Sequence, residues 1–331
     1  MHADAPVRLV SADEIRAAAA RIRRIVRRTP LVHGPTTVPG AALRLKCENL
    51  QVAGAFKIRG AANMLAQLSR EDLARGVITY SSGNHGQALA CAARLLGVPA
   101  VVVMPTTAPP VKVNGARAFG AEIVFAGTTS ADRKAEAERL QLERQLAMVP
   151  PFDHPWIVAG QGTVGLEVIE DCPDLHEIYV PVGGGGLLAG VAVAIKALRP
   201  SARVIGVEPA GAAKMSRSLA AGMPVTLERT ASIADGLLPV RPGDLTFMHV
   251  RELVDEVVTV DDASLVDAVR YLAGDAHLVV EPSGAASLAA IRARYGELTA
   301  IERPVVAVLS GGNIAPETLN ELLTGTTRVK T

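Results

Sequence analysis

The chain of 331 residues is nearly half apolar and carries 34 basic and 33 acidic side chains. This length allows one large or two modest hydrophobic cores, and a net charge near zero argues against binding to nucleic acid or an anionic membrane. No uninterrupted apolar run reaches the roughly 18 residues of a membrane span, and the polar first residues predict no signal peptide, so we expect a cytoplasmic protein. Cys47, Cys91 and Cys172 match neither a disulfide framework nor a zinc site and are expected to be buried and reduced.

The first predicted helix begins at the capping box Ser11–Glu14, and the first predicted strand is Leu43–Cys47. Lys57 follows between Phe56 and Ile58, at the start of a second helical pattern. Burial lowers the pKa of an ammonium group, which suits a lysine to Schiff-base chemistry with an aldehyde. On these neighbours alone, however, a surface lysine with a buried stem is the commoner case.

A turn rich in serine and glycine comes next, between the predicted strand Val77–Tyr80 and the predicted helix Gln87–Leu96. It spans Ser81–Gly86 and includes Asn84 and His85. Unpaired backbone amides at a helix N-terminus stabilise a carboxylate or a phosphate, so this turn is a candidate anion site. His85 either shapes a substrate pocket there or serves in packing.

Two further predicted strands, Ala100–Met104 and Glu122–Phe125, precede a predicted helix over Ser130–Ala147. Arg133 lies in the first turn of that helix, where the helix dipole disfavours a cation. Such a placement suggests another purpose for Arg133, although an ordinary surface arginine is the commoner case.

Four consecutive glycines, Gly183–Gly186, stand between the predicted strand Ile178–Val182 and the predicted helix Leu187–Leu198. A turn without Cβ atoms lets backbone amides approach a phosphate closely. Ser310 follows the predicted strand Val305–Leu309, where its hydroxyl can form a hydrogen bond in a fixed direction. A Schiff-base lysine, a phosphate-binding turn and a strand-end hydroxyl together suit pyridoxal phosphate.

The alternation of short β-branched runs with longer alanine-rich helical stretches predicts an α/β fold, with parallel sheets covered by helices on both faces. Residues 77–147 contain three such βα units. We expect them to form a small domain, inserted into a large cofactor-binding domain of residues 1–76 plus 148–331.

Nearly the whole chain, from about Ile15 to Leu322, resembles the fold type II pyridoxal-phosphate enzymes. It is similar to their threonine and serine dehydratases and serine racemases, through motifs that include Ala159–Thr163 and Ala234–Gly236. The resemblance implies two three-layer, parallel-sheet domains of the tryptophan synthase β type, with the cofactor in the cleft between them. It also implies that Lys57 forms the Schiff base with the cofactor. The other implied cofactor contacts are Phe56 against the ring, Asn84 at the pyridoxal hydroxyl, Gly183, Gly184, Gly185, Gly186 and Leu187 at the phosphate, Ser310 at the pyridine nitrogen, and Glu281 nearby.

Within the family, Arg241–Thr246, Val250–Asp255 and Phe152 resemble the short catabolic threonine dehydratases. This likeness implies β-elimination of water from L-threonine and/or L-serine, which gives 2-oxobutyrate or pyruvate and ammonia. Ser82 matches the second acid/base residue of the racemases, so serine racemase is an alternative, as is dehydration of phenylserine or hydroxyaspartate. The residues that the resemblance places at the substrate are Ser81, Ser82, Asn84, His85 and Arg133, with Lys57 and Ser82 as the catalytic pair.

One position departs from the family pattern. Many relatives bind a divalent cation through a glutamate, a carbonyl and an aspartate, where this chain has Glu208, Ala212 and Lys214. A protonated lysine cannot ligate a metal and can neutralise Glu208, so we expect no metal ion. We also expect a homodimer, or alternatively a tetramer, and no regulatory domain after Ser310, hence no feedback inhibition by a branched-chain amino acid.

The glycine turn also supports a competing interpretation. The pattern Gly184-x-Gly186-x-x-Ala189 after a strand, with Glu208 about twenty residues later, fits a dinucleotide fingerprint and would indicate a dehydrogenase. That fingerprint is weak alone and gives no role to Lys57 or to the serine after the last predicted strand. A sensor without catalytic activity is a third class, which the presence of Lys57 disfavours.

Overall fold

Two β-sheets with helices between their strands form the fold in the computed structural model, which describes residues 8–35, 42–81, 83–108, 110–298 and 301–325. The strands are β1 (Leu31–His33), β2 (Leu43–Lys46), β3 (Val77–Thr79), β4 (Ala100–Met104), β5 (Glu122–Phe125), β6 (Ala147–Met148), β7 (Glu177–Pro181), β8 (Arg203–Pro209), β9 (Glu256–Val260) and β10 (Val305–Val308).

The α-helices are α1 (Ala12–Ile22), α2 (Lys57–Leu65), α3 (Arg70–Arg75), α4 (Asn84–Leu96), α5 (Pro110–Ala118), α6 (Ser130–Arg144), α7 (Pro155–Asp171), α8 (Gly186–Leu198), α9 (Lys214–Ala221), α10 (Asp244–Leu253), α11 (Asp262–Gly274), α12 (Pro282–Tyr295) and α13 (Pro316–Thr324). Short 3-10 turns cover Glu48–Leu50, Val52–Gly54, Ala210–Ala212 and Asp235–Leu237.

The larger sheet has six strands in the order β1-β2-β10-β7-β8-β9, and the smaller has four in the order β5-β4-β3-β6. Every neighbouring pair is parallel except β1 with β2. The residues of β4, β7 and β10 are all buried, as expected for strands covered by helices on both faces. The predicted α/β class with parallel sheets is confirmed.

Several predicted boundaries need correction. The helix expected over Ser130–Ala147 ends at Arg144, because Gln145 takes a left-handed conformation with φ 53°. Ala147 instead joins the smaller sheet as part of β6, and its amide donates to the carbonyl of Gly76. The helix expected to begin at Gln87 begins earlier, at Asn84, so the end of the serine-rich turn forms its first turn.

The smaller sheet and its three intervening helices all lie within residues 77–148. One hydrophobic core extends past that range, because Ile58 and Leu65 of α2 are buried in the same cluster as Leu89 of α4 and Val102 of β4. Helix α2 also packs against α7 on its other side. The division into residues 77–147 and the rest therefore stays a prediction.

Other structural expectations concern the membrane and the cysteines. None of the helices in the described ranges combines the length and the apolar character needed to cross a bilayer. Cys47, Cys91 and Cys172 are free thiols in buried positions, as predicted.

Candidate active site

The candidate residues meet where the parallel strands end. Helix α4 follows β3, the Gly183–Gly186 turn follows β7, and Ser310 follows β10. In open parallel sheets, ligands bind outside the carboxyl ends of the strands. The amide of Phe56 donates to the carbonyl of Ser310 at 3.1 Å, which brings the start of α2 to the same edge.

Lys57 is the first residue of α2 and is half-buried. Its Nζ donates to the carbonyl of Pro151 at 2.8 Å and lies 5.2 Å from the centroid of the Phe56 ring. Burial lowers the pKa of Lys57 to about 8. An amine held inside the protein with this pKa is unprotonated in a useful fraction near neutral pH, which argues against the ordinary surface lysine.

The glycine turn is packed so closely that side chains would not fit. A Cβ on Gly184 would lie 2.3 Å from the ring of Phe152, and one on Gly183 would lie 2.9 Å from the carbonyl oxygen of Gly236. Gly185 has φ +99° and precedes α8 without a side-chain cap. The first amides of α8 have no intrahelical acceptor, so the turn is suited to an anion such as a phosphate.

Asn84 and Glu281 lie against each other beside the end of β10. The Nδ2 of Asn84 donates to Oε1 of Glu281 at 2.5 Å, and its Oδ1 accepts from Nδ2 of Asn313 at 2.9 Å. Burial, with the nearby charge of Asp235, raises the pKa of Glu281 to about 8. Glu281 is therefore largely protonated at neutral pH, and Asn84 is held in one orientation.

His85 is buried in the first turn of α4, with Nε2 3.1 Å from the carbonyl oxygen of Val149. Its Nδ1 is buried and has no hydrogen-bond partner among the described residues. Burial, and then the charge of Lys57, lowers the pKa of His85 to about 3. His85 is thus a neutral imidazole with one ring nitrogen left for a further hydrogen bond.

The remaining predicted substrate residues are less closely joined to this group. Ser81 is half-buried, and its Oγ accepts from the amide of Gly83 at 3.3 Å. Ser82 lies outside the described residues. Arg133 donates from Nη2 to Oγ of Ser130 at 2.6 Å, and its half-buried side chain forms no described hydrogen bond or ion pair with the other candidates.

Sequence reasoning missed several residues that the fold brings to this edge. Lys112 of α5 forms an ion pair with Asp235, which links the helix layer of the smaller sheet to the Asp235–Leu237 turn. Asp235 belonged to a recognised motif, and Asn313 follows Ser310 within three residues, so both had a local signal. Lys112 had none, because a lone lysine on a short helix looks like any solvated side chain.

The residues at the expected cation position, Glu208, Ala212 and Lys214, do not suit a metal ion in this chain. The ammonium of Lys214 is buried there, 3.4 Å from Oε2 of Glu208. No cluster of three or more histidine, cysteine or acidic side chains suited to a metal occurs in the ranges that the structure describes.

The family model of the "Pyridoxal-phosphate dependent enzyme" matches residues 22–311. The chain belongs to this family. It is 46% identical over 308 residues to an L-threonine ammonia-lyase from Geobacter sulfurreducens, covering 92% of this chain and 76% of that protein. Maize serine racemase superposes with a TM-score of 0.89 at 40% identity, covering 96% of this chain and 98% of that one. The threonine deaminase of T.th. superposes with a TM-score of 0.86 at 42% identity, covering 92% of this chain and 99% of that one.

The residues at the strand ends fit the cofactor of the family. Lys57, which has no described carboxylate partner, supplies an amine for the cofactor aldehyde. The glycine turn has no room for Cβ atoms and leads into an uncapped helix N-terminus, so it supplies an anion site. Family membership and two-domain fold type II architecture confirm the resemblance, and the dehydrogenase alternative drawn from the same glycines is wrong.

Proposed function

We propose that this protein is a pyridoxal-phosphate-dependent ammonia-lyase that eliminates water from L-threonine and/or L-serine, giving 2-oxobutyrate or pyruvate and ammonia. The observation that carries the proposal is the placement of Lys57, with its lowered pKa, at the same edge as the glycine turn and Ser310. The similarity to a threonine ammonia-lyase and to a threonine deaminase supports this choice of reaction.

The cofactor would be held by residues from five segments. When bound, pyridoxal phosphate supplies an aldehyde that condenses with amines and a ring that withdraws electrons from the α-carbon of an amino acid. The proposed contacts are Lys57 at the aldehyde, Phe56 against the ring, Asn84 at the ring hydroxyl with Glu281 behind it, Ser310 at the ring nitrogen, and Gly183, Gly184, Gly185, Gly186 and Leu187 at the phosphate.

Lys57 is proposed to move the α-proton of the substrate. Its amine can accept a proton at Nζ because desolvation disfavours the ammonium form, and the pKa of about 8 is close to working pH. The carbonyl of Pro151, at 2.8 Å, holds Nζ in place when the amine is free. The proton taken up by Nζ can be returned to the β-hydroxyl, which leaves as water. The enamine that remains is released and is hydrolysed by one water to the oxo acid and ammonia.

The carboxylate of the substrate is proposed to bind at the start of α4. Ser81, Asn84 and His85 lie at or just before the start of α4, where the first amides have no intrahelical acceptor and the helix dipole favours an anion. Ser82 is a further residue proposed for the carboxylate from the sequence. His85 stays neutral, so its role is to fix the turn through Val149 and to offer Nδ1 as a hydrogen-bonding atom. Arg133 is the cation proposed for this carboxylate.

Ser310 is proposed to direct the reaction towards elimination. A neutral hydroxyl at the ring nitrogen does not hold that nitrogen protonated, as a carboxylate would. Negative charge from the α-carbon is then less well accommodated by the ring, which favours rapid loss of the β-substituent over slow return of the proton.

Racemisation of serine is a second candidate, because maize serine racemase superposes on nearly the whole chain. It needs a second acid/base residue on the opposite face of the substrate, and Ser82 is the proposed one. Phenylserine and hydroxyaspartate are further alternative substrates. A pocket distinguishes two amino acids that differ by one methylene group by only about 1–3 kcal/mol, so the motifs do not select among the 3-hydroxy amino acids.

The deciding experiment is a panel of L-threonine, L-serine, D-serine, phenylserine and hydroxyaspartate. Release of oxo acid and formation of the opposite enantiomer are measured separately for each. We expect oxo acid from L-threonine or L-serine to exceed enantiomer formation, and Lys57→Ala to lose both activities while Lys196→Ala keeps them. Enantiomer formation without oxo acid would replace the lyase proposal with racemase.

We further propose that the protein is a cytoplasmic homodimer, with a tetramer as the alternative. The three buried free thiols suit a reducing compartment, and the assembly follows from the family resemblance. Light scattering on the holoenzyme measures the mass directly, and a monomer at micromolar concentration would contradict the dimer.

A further inference from the structure

Lys214, the first residue of α9, is fully buried and has all of its hydrogen-bond donors occupied. Its Nζ donates to the carbonyls of Val182 at 2.8 Å, Leu237 at 3.0 Å and Ala212 at 3.1 Å. An ammonium group has three N–H donors, so these three carbonyl oxygens use all of them. The side chain is therefore bound on all sides, as an ion would be.

The charge of Lys214 is balanced by Glu208 of β8, which is also fully buried. The two carboxylate oxygens of Glu208 accept from the amides of Met215 at 3.0 Å and Ser216 at 2.8 Å. A buried carboxylate without a cation would be strongly destabilising, and the ammonium 3.4 Å away removes that cost.

The carbonyls around Lys214 belong to the walls of the glycine turn. Val182 directly precedes Gly183, and Leu237 ends the turn in which the carbonyl of Gly236 packs against Gly183. The amide of Gly236 donates in turn to Oγ of Ser283 at 2.9 Å, one residue after the start of α12. Lys214 thus joins the strand end before the glycine turn to the segment that packs on it.

We propose that Lys214 is an internal cation that takes the place of a bound divalent metal ion and positions the glycine turn for the cofactor phosphate. This inference rests on the proposed assignment of Gly183–Gly186 to the phosphate. It explains why the ammonium sits among carbonyl and carboxylate oxygens, the donor atoms that Mg²⁺ and Ca²⁺ prefer. Lys214 is a positioning residue, since it acts through the turn and does not reach the reacting atoms.

Two substitutions of Lys214 separate the roles of its charge and of a metal ligand. Lys214→Asp removes the ammonium and adds a carboxylate to a site that already has Glu208 and three carbonyls. All possible ligands at this site would then be oxygen atoms, which suits a hard divalent cation. Lys214→Met keeps the length of the side chain and supplies neither charge nor ligand.

The experiment compares wild type, Lys214→Asp and Lys214→Met as holoenzymes, each in chelator and in CaCl2 or MgCl2. The control is Lys196→Met, a partly buried lysine that donates to Ala202 and pairs with Asp255. Thermal midpoint and cofactor affinity, followed through the absorption of the bound cofactor, are the two readouts.

We expect wild type and Lys196→Met to respond to neither chelator nor metal. Lys214→Met is expected to bind the cofactor about tenfold or more weakly without a metal response, because buried carbonyls and Glu208 lose their partner. Lys214→Asp is expected to be equally weak in chelator, and to recover cofactor affinity with a thermal midpoint about 5 °C or more higher when metal is added.

Three outcomes would overturn the proposal. They are loss of cofactor affinity in wild type on chelation, wild-type affinity in Lys214→Met, and a folded Lys214→Asp variant that ignores metal. If neither variant folds, the wild-type chelation measurement decides. Both readouts are independent of turnover, so an enzyme without lyase activity would refute the proposed function and leave this inference standing.

Discussion

Burial lowers the pKa of both Lys57 and Lys214 to about 8, yet their surroundings give the two amines different chemistry. The Nζ of Lys214 is enclosed by three carbonyls and faces Glu208, so it has no donor left and no room to react. The Nζ of Lys57 has the carbonyl of Pro151 as its described acceptor, and its side chain is half-buried. Exposure of the side chain and free hydrogen-bond donors on Nζ therefore distinguish the proposed Schiff-base lysine from the structural one.

The role proposed for the hydroxyl of Ser310 can be tested by substitution. Ser310→Asp would place a carboxylate at a position that is 3% exposed, where it would hold a nearby ring nitrogen protonated. We expect oxo-acid formation to fall by about tenfold or more and the absorption spectrum of the bound cofactor to change. Ser310→Ala is the control for loss of the hydroxyl, and equal behaviour of the two variants would contradict the role given to Ser310.

His85 makes stability depend on pH. Its pKa is about 3 in the folded protein and near 6.5 in an unfolded chain, so the unfolded state binds the proton first as pH falls. The contribution of neutral His85 is complete above pH 6.5 and is lost as pH falls towards 3. Between pH 6.5 and 5 this amounts to roughly 2 kcal/mol of the free energy of unfolding.

Denaturant unfolding at several pH values measures this contribution. We expect His85→Gln to lose stability less steeply between pH 6.5 and 5 than wild type does. His33→Gln, at an exposed histidine, is the matched control and should keep the wild-type slope. If the slope of His85→Gln equals that of wild type, the neutral buried imidazole is not the source of the pH dependence.

At the scale of secondary-structure elements, a buried network of charges holds α2 in place. The guanidinium of Arg59 donates to both carboxylate oxygens of Glu48 at 2.8 Å and to Oε1 of Glu167 in α7 at 2.7 Å. Lys46 of β2 donates to Oε2 of Glu167 at 2.5 Å. Because Lys57 lies two residues before Arg59 in α2, this network holds the backbone from which the proposed Schiff-base lysine extends.

Removal of Arg59 is expected to be costly. Arg59→Met leaves Glu48 buried without a bidentate partner, which should lower the free energy of unfolding by about 3–5 kcal/mol. The control is Arg139→Met on α6, whose pairs with Glu136 and Glu143 are exposed and contribute little to stability. Denaturant unfolding of both variants tests the difference, and similar losses would mean that burial of the network does not matter.

The helix–strand boundary at residue 144 illustrates a limit of local sequence reasoning. The stretch Ser130–Ala147 has a helical pattern throughout, but the chain turns left-handed at Gln145. The amide of Ala147 then donates to the carbonyl of Gly76, the residue before β3 of the smaller sheet. The helix ends where the chain pairs with β3, which is distant in sequence. In contrast, the apolar run Ala100–Met104 predicts the observed strand β4 with the correct bounds.

Across the whole fold, an ion pair between Lys112 and Asp235 links a helix of the smaller sheet to a turn of the larger one. Helix α5 belongs to the smaller sheet, and the Asp235–Leu237 turn lies beside the glycine turn of the larger one. The pair is partly exposed, with side-chain exposures of 24% and 51%. We expect the pair to hold α5 against the Asp235–Leu237 turn beside the proposed site, with a modest and salt-sensitive contribution.

Lys112→Ala tests this contact. We expect KM for the amino acid to rise about two- to fivefold with a smaller change in kcat, because an exposed pair contributes about 1 kcal/mol or less. The rise should shrink at high ionic strength, where the wild-type pair is screened. Lys134→Ala, which removes an exposed pair with Glu138 on α6, should leave KM unchanged; a change of equal size would show that general surface charge is responsible.

Much of the site could be predicted because its chemistry is local. Lys57, the glycine turn and Ser310 each stood at the end of a recognisable element, and parallel sheets bring such ends to one edge. Pro151, Asn313 and Lys112 were missed as contacts, since a carbonyl acceptor, an amide partner and a lone surface cation carry no signal of what they touch.

The sequence alone determined which groups are available: an amine at position 57, a turn that favours glycine at Gly185, and a lysine at position 214. Tertiary structure decided the surroundings of each of these groups. The three carbonyls around Lys214 come from residues 182, 212 and 237, and no local pattern specifies that they converge. Local backbone preferences act over a few residues, whereas desolvation and ion pairing depend on chain segments that meet only when both sheets are packed.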